Sequence, residues 1–158
     1  MFKTLAYTVS IVLCLIPRAE AAVERETFEV FVEIPTADFF VLPVDPQLVQ
    51  REQRLSYNPV SSQLSSLRGQ FDVKSIGGAI GARLEDEAFL YSGTDRIDLQ
   101  VTFNNQPLSL MHTEVVSTAE AMSGKRVALE IAAIKPTDDY PPGNYFGTVR
   151  MVFDAIAP

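Results

Sequence analysis

The sequence predicts an all-β domain, a sandwich or barrel of about seven short strands. Three observations carry that prediction: two-residue alternation of apolar and polar side chains in several segments, turn residues between those segments, and a scarcity of helical spacing. In the first such segment Phe28, Val30, Val32 and Ile34 fall on one face. Thr27, Glu29, Phe31 and Glu33 fall on the other, and Pro35 ends the run. Phe39–Leu42 is continuously apolar between Asp38 and Pro43. Val44–Gln53 holds Asp45-Pro46 as a helix start, but its apolar spacing is poor, which predicts a loop or one helical turn.

Leu55–Asn58 reads as a short strand before a turn containing Pro59 and the pairs Ser61-Ser62 and Ser65-Ser66. Arg68–Ile76 alternates through Phe71 and Val73, Gly77-Gly78 punctuates, and Ala79–Leu84 follows as another strand. Ile97, Leu99, Val101 and Phe103 alternate up to Asn104-Asn105. Leu108, Leu110 and His112 continue beyond, which predicts a hairpin turning at the two Asn. Val127, Leu129, Ile131 and Ala133 alternate again, and Pro136–Pro142 is a loop. Near the C-terminus Tyr145, Gly147, Val149, Met151 and Phe153 alternate against Phe146, Thr148, Arg150 and Val152, predicting a last strand over Tyr145–Phe153.

The N-terminus reads as an export signal. Lys3 is a short positive region and Leu5–Ile16 is apolar. Pro17-Arg18 breaks the run, and Ala19-Glu20-Ala21 is the small-x-small pattern of a cleavage site, which places the cut after Ala21 or Ala22. The apolar run is shorter than the roughly 20 residues of a membrane span. Cys14, the only cysteine of the 158 residues, lies within it, so the processed chain must hold its fold by packing without disulfides.

Composition excludes several function classes. Removing Lys3, Arg18 and Glu20 makes the processed chain one charge more negative than the −7 of the whole, which argues against nucleic acid and anionic membranes as partners. His112 is the only histidine and lacks a partner at ligand spacing, so it reads as structural or exposed. Glu85-Asp86-Glu87 and Asp95 with Asp98 lack the order of a calcium loop and read as solvated turns. The serine pairs have no nucleophile context, and Gly77-Gly78 with Gly81 has no phosphate-loop Lys. No catalytic residue, metal site, cofactor or small-molecule substrate is expected.

The strand at Thr27–Ile34 is strongly apolar on one face, and a strand of that kind left exposed invites aggregation. It either pairs within its own domain as a first strand or completes the sheet of a neighbour.

Four pieces of the chain resemble the major subunits of alpha-type (class 5) fimbriae, the coli-surface-antigen-one and colonisation-factor-antigen-one pilins of the alternate chaperone–usher pathway. They are V-E-R-E-T-F-E-V-F-V-E-I-P at Val23–Pro35, L-S-Y-N-P-V-S at Leu55–Ser61, L-Q-V-T-F-N-N-Q-P-L-S at Leu99–Ser109 and P-G-N-Y-F-G-T-V-R-M-V-F at Pro142–Phe153. The resemblance implies an incomplete Ig-like β-sandwich completed by donor-strand exchange. It implies a signal peptide over 1–22, a donor-strand extension over 23–35 and an Ig-like pilin domain over 36–158. Phe28, Val30, Val32 and Ile34 would be the plugs of the donor strand. Tyr145, Gly147, Val149, Met151 and Phe153 would form one wall of the acceptor groove. The implied partners are other copies of the chain in a fibre, a periplasmic chaperone, an outer-membrane usher and a tip adhesin. The implied location is the cell surface, reached through the periplasm. Two departures stand out: Phe31 is large for the face opposite the plugs, and Asp154–Pro158 runs past the last strand. The alternatives are a minor or adhesive subunit of the same fimbria, or a stand-alone Ig-like binding protein.

Overall fold

The computed structural model describes residues 38–157. Strand β1 (Phe39–Pro43) is followed by a single helical turn, α1 (Gln47–Gln50), as the poor apolar spacing there predicts. A small hairpin of β2 (Tyr57–Asn58) and β3 (Gln63–Leu64) comes next, turning through Ser62 at φ 51°. The long strand β4 (Leu67–Ser75), β5 (Ala79–Leu84), β6 (Phe89–Tyr91) and β7 (Arg96–Phe103) follow. Then come β8 (Gln106–Pro107), β9 (Thr113–Val116), the short helix α2 (Thr118–Ser123), β10 (Lys125–Ala133) and β11 (Met151–Ile156).

One sheet runs β1-β4-β10-β7-β6 with β8 attached to β7; the other runs β11-β5-β9. All strand pairs are antiparallel. The two sheets face each other as an Ig-like β-sandwich. Period-two alternation explains the core. Phe71 and Val73 of β4, Val127, Leu129 and Ile131 of β10, and Leu99, Val101 and Phe103 of β7 point inward from the wide sheet. Ile80, Ala82 and Leu84 of β5 meet them from the narrow one. Phe103 is fully buried and joins the layers, with its ring 5.5 Å from Phe71 and 4.8 Å from Phe153 across the sandwich.

The Asn104-Asn105 turn has φ of 48° and 62°, the two left-handed residues that a tight type I′ hairpin demands. The far arm is shorter than the alternation predicts. Pro107 offers no N–H to extend the ladder, and after Leu108 bonds to Val101 the chain crosses to the other sheet, where Ser109 accepts from Leu84. Leu110 is therefore exposed rather than part of that arm.

The predicted last strand also shifts. Only Met151–Ile156 pairs as a strand, along β5, and it extends three residues beyond Phe153. Upstream, Phe146 bridges Tyr91 at the end of β6, but residues 147–150 belong to no ladder among the described residues.

The outer face of the wide sheet is polar and cross-linked by ion pairs, Arg126 to Asp72 at 2.8 Å and Arg68 to Glu130 at 3.0 Å. Hydrogen bonds from Arg126 hold the Asp72 carboxyl below its ordinary range, and Arg68 followed by Ser66 does the same for Glu130. Lys125, then Ser117, lowers Glu120. A carboxyl whose folded value is depressed stabilises the fold above its unfolded value, and that contribution is lost as pH falls through the folded value.

Two outcomes are expected. Acid titration should lower the unfolding midpoint as pH falls below the ordinary carboxylate range and through the depressed folded values of these groups, and Arg126→Gln should flatten that slope in thermal melts. Phe103→Ala should cost about 3–5 kcal/mol of unfolding free energy by denaturant titration, whereas exposed Leu110→Ala should fall within about 0.5 kcal/mol of the parent.

Candidate functional site

The narrow sheet has too few strands to cover the wide one. At one end the inward face of the wide sheet is left as the floor of an open cleft of about 340 Å³. Leu67 and Phe71 of β4, Leu129 and Ile131 of β10, Leu99 of β7 and Leu90 of β6 line that floor. Their common position follows from register, since Ile131 lies opposite Leu67 and Leu99 opposite Ala133.

Two lips border the floor. One is Gly147, Thr148, Val149 and Met151, leading into β11. The other is the segment from Leu48 to Leu55. The polar side chains lining the cleft, Arg51, Glu52, Gln53 and Thr148, all belong to the lips.

The backbone of both lips is unusual. Among the described residues, Gly147, Thr148 and Val149 make no backbone hydrogen bond, and neither do Glu52 and Leu55. Beyond them β11 pairs on one side only, with β5, so its other edge is open among the described strands. The site thus combines an apolar floor with extended chain whose donors and acceptors lack strand partners.

Gly147 is what lets the first lip lie so low. A Cβ built there would collide with the carbonyl oxygen of Phe89 and stand 3.0 Å from the Leu90 side chain. The close approach places Phe146 in its paired bonds with Tyr91, at 2.9 and 3.1 Å, and leaves its ring exposed.

Of the expected wall residues, Gly147, Val149 and Met151 line the cleft together. Phe153 packs instead on the core against Phe103, and Tyr145 bonds through its hydroxyl to Pro141. The expected plugs Phe28, Val30, Val32 and Ile34 lie outside the described residues. Leu99 and Leu129 were legible as inward-facing residues, whereas Leu67 and Leu90 lie outside the predicted alternating segments, and a period-two pattern does not show which inward residues border an opening. His112 does have a partner, Asp154 of β11, with Nε2 2.5 Å from Oδ1. Forty-two residues separate the pair, beyond the reach of any spacing argument. Glu87 and Asp86 sit in ion pairs with Arg96 and Arg150.

A two-sheet sandwich of this kind is the fold of a fimbrial pilin. A solved relative in that fold is the CooA pilin subunit from enterotoxigenic Escherichia coli, which is similar with a TM-score of 0.54 and 16% identity, over 63% of this chain and 75% of that one. No curated protein matches the sequence significantly. Residues 24–154 match the family model of the CS1 type fimbrial major subunit, and the chain belongs to that family. It is a structural major pilin, whose copies associate into fimbriae at the cell surface.

Gly147→Val should lift the first lip from β6. Hydrogen exchange should then report at least about tenfold faster exchange at the Tyr91 and Phe146 amides, with the β4 and β10 amides unchanged.

Proposed function

We propose that the cleft is an acceptor groove, filled in the fibre by the segment 23–35 of the next subunit as a donor strand. Phe28, Val30, Val32 and Ile34 would enter as plugs between the two lips. The observation that carries this reading is the coincidence of an apolar floor with unpaired backbone at its borders. An added strand answers both needs, since its alternate side chains cover the floor while its main chain pairs with the lips.

Magnitudes favour a strong contact. Burial stabilises by about 1.5–3 kcal/mol for each large apolar side chain. Four of them are thus comparable with the whole stability of a typical domain, about 5–15 kcal/mol. The polarity of the domain favours a neighbour as the donor. The cleft lies towards the Leu67 end of β4, whereas Asp38 stands beside the other end and accepts a hydrogen bond from Ile76. A chain entering at one end and accepting at the other gives a head-to-tail contact that does not close, the geometry of a filament.

In this reading residues 1–22 direct export to the periplasm and are then removed. A periplasmic chaperone covers the groove first, an outer-membrane usher exchanges it for the donor strand, and a tip adhesin ends the fibre. Two substitutions test it. With its chaperone and usher co-expressed, the intact chain should give surface fibres and heat-resistant ladders on a denaturing gel. Val30→Asp or Val32→Asp should abolish the ladder while chaperone capture persists, because a carboxylate cannot enter an apolar pocket unpaired. An equally stable monomer lacking residues 22–35, beside an intact chain that never polymerises, would end the proposal.

A further inference from the structure

The second lip is built differently from the first, and the difference suggests motion. Every hydrogen bond made by Asp45–Leu55 among the described residues stays inside that segment. The Asp45 carboxylate accepts from the Gln47 N–H at 2.9 Å, and the Gln53 amide donates to the carbonyls of Gln47 and Arg51 at 2.9 and 3.1 Å. The α1 backbone bonds are equally internal. Ties to the body of the domain come just outside the segment. Val44 donates to Gln70 at 2.8 Å, and Ser56 is joined to Ser65 by two bonds of 2.8 Å.

Between those anchors the segment holds to the sandwich through two half-buried side chains, Leu48 and Leu55. Val49 and the polar residues around it are exposed. Leu48 reaches the wide sheet where β4 carries Gly69. A Cβ at that position would overlap the Leu48 side chain, whose Cγ would lie 3.3 Å away. Gly69 shares the inward face with Leu67 and Phe71, so Leu48 occupies sandwich interior beside the floor of the cleft.

Resting on the acceptor-groove reading, we propose that Asp45–Leu55 is a swinging lid. Leu48 acts as an internal plug that covers one end of the groove on Gly69, and the lid turns about Val44 and Ser56 to admit the donor strand of a second copy. A unit bonded only to itself can move without breaking a sheet hydrogen bond, and the cost of opening is the apolar contact of Leu48 and Leu55. Once a strand is in place, the unpaired backbone of Glu52 and Leu55 gains a partner, which closes the lid over it.

The entry rate then scales with the fraction of open lids. The full chain should be followed with its chaperone and usher, by the rate at which the heat-resistant ladder grows. Leu48→Ala removes the internal plug and should speed growth by about threefold or more. A double variant, Leu48→Cys with Gly69→Cys, pins the lid shut when oxidised. It should grow about tenfold or more slower than the same protein after reduction, which should grow at least as fast as the parent because the Leu48 plug is gone. The processed chain has no other cysteine, Cys14 lying in the N-terminal segment.

Equal rates for Leu48→Ala and the parent, together with equal rates for the oxidised and reduced forms, would show a fixed wall and overturn the lid. Should Leu48→Ala fail to fold, the oxidised-to-reduced ratio decides alone. Should the parent form no ladder, or form one without residues 23–35, the acceptor-groove reading falls first and the lid with it.

Discussion

Backbone amides and carbonyls must have partners wherever apolar side chains are taken out of water, and among the described residues Gly147–Val149 at the cleft lack them. Around the core, β4, β10 and β7 are laddered on both sides and packed against Ile80, Ala82 and Leu84 of β5. At the cleft, half-buried Leu67 and Leu90 border the buried Leu99 and Leu129, beside Gly147–Val149 without a ladder. Water can satisfy the lips, but it leaves Leu67, Leu90, Val149 and Met151 only half covered. A packed helix would cover the floor, but its own backbone bonds are already used internally, so the lips would be sealed away unpaired. A small apolar ligand has the same defect. A strand answers both requirements at once, and for that reason the geometry narrows the class of occupant more than the volume of the cleft does.

The division between floor and lips also separates strength from selectivity. Main-chain pairing is the same for any extended peptide, whereas the floor presents side chains of fixed spacing, so in the proposed acceptor groove discrimination would fall to the alternate residues of the donor strand. The remaining surface works against unwanted pairing. The outer face of the wide sheet is laced by Arg68–Glu130 and Arg126–Asp72, and the chain as a whole is acidic at −7. Exposed ion pairs of this type contribute little to stability each, but they keep a broad sheet face polar.

How much of this could be read without coordinates depended on whether the information was local. β4, β7 and β10 were legible because each has one face inside and one outside, so composition follows the pleat, whereas β5, buried on both faces, was marked only by the Gly77-Gly78 before it. The Asn104-Asn105 turn was legible because few residues tolerate two successive positive φ values. β9 was not, since the register shift between Ile80 and Gly81 turns both Val115 and Val116 inward and erases the alternation. α2 buries only Ala121 and shows no apolar stripe; its one signal was Ser117 three residues before Glu120, a pair that does bond at 2.9 Å. The end of the chain misled in the opposite direction. Tyr145–Phe153 has a strand's pattern over its whole length, but before Met151 only Phe146, bridged to Tyr91, and Arg150, whose carbonyl accepts from Glu85, find backbone partners among the described residues. Strand-forming pattern is a property of a segment, whereas strand structure is a property of two.

That last mismatch is itself informative. A segment whose side chains alternate as if for a sheet, but whose backbone finds no ladder among the described residues, is consistent locally and unsatisfied globally. In a self-sufficient domain such conflict is a defect, because every local preference should agree with the fold. In a subunit that belongs to a fibre the fold need not be complete within one chain, and the preference can be met by the neighbour. Gly147 supports this view, since a residue with any side chain would be held off β6 by the Phe89 carbonyl. The incompleteness at the cleft is therefore built by named residues, Gly147 on one lip and Leu48 over Gly69 on the other. It is not simply a gap that packing failed to fill.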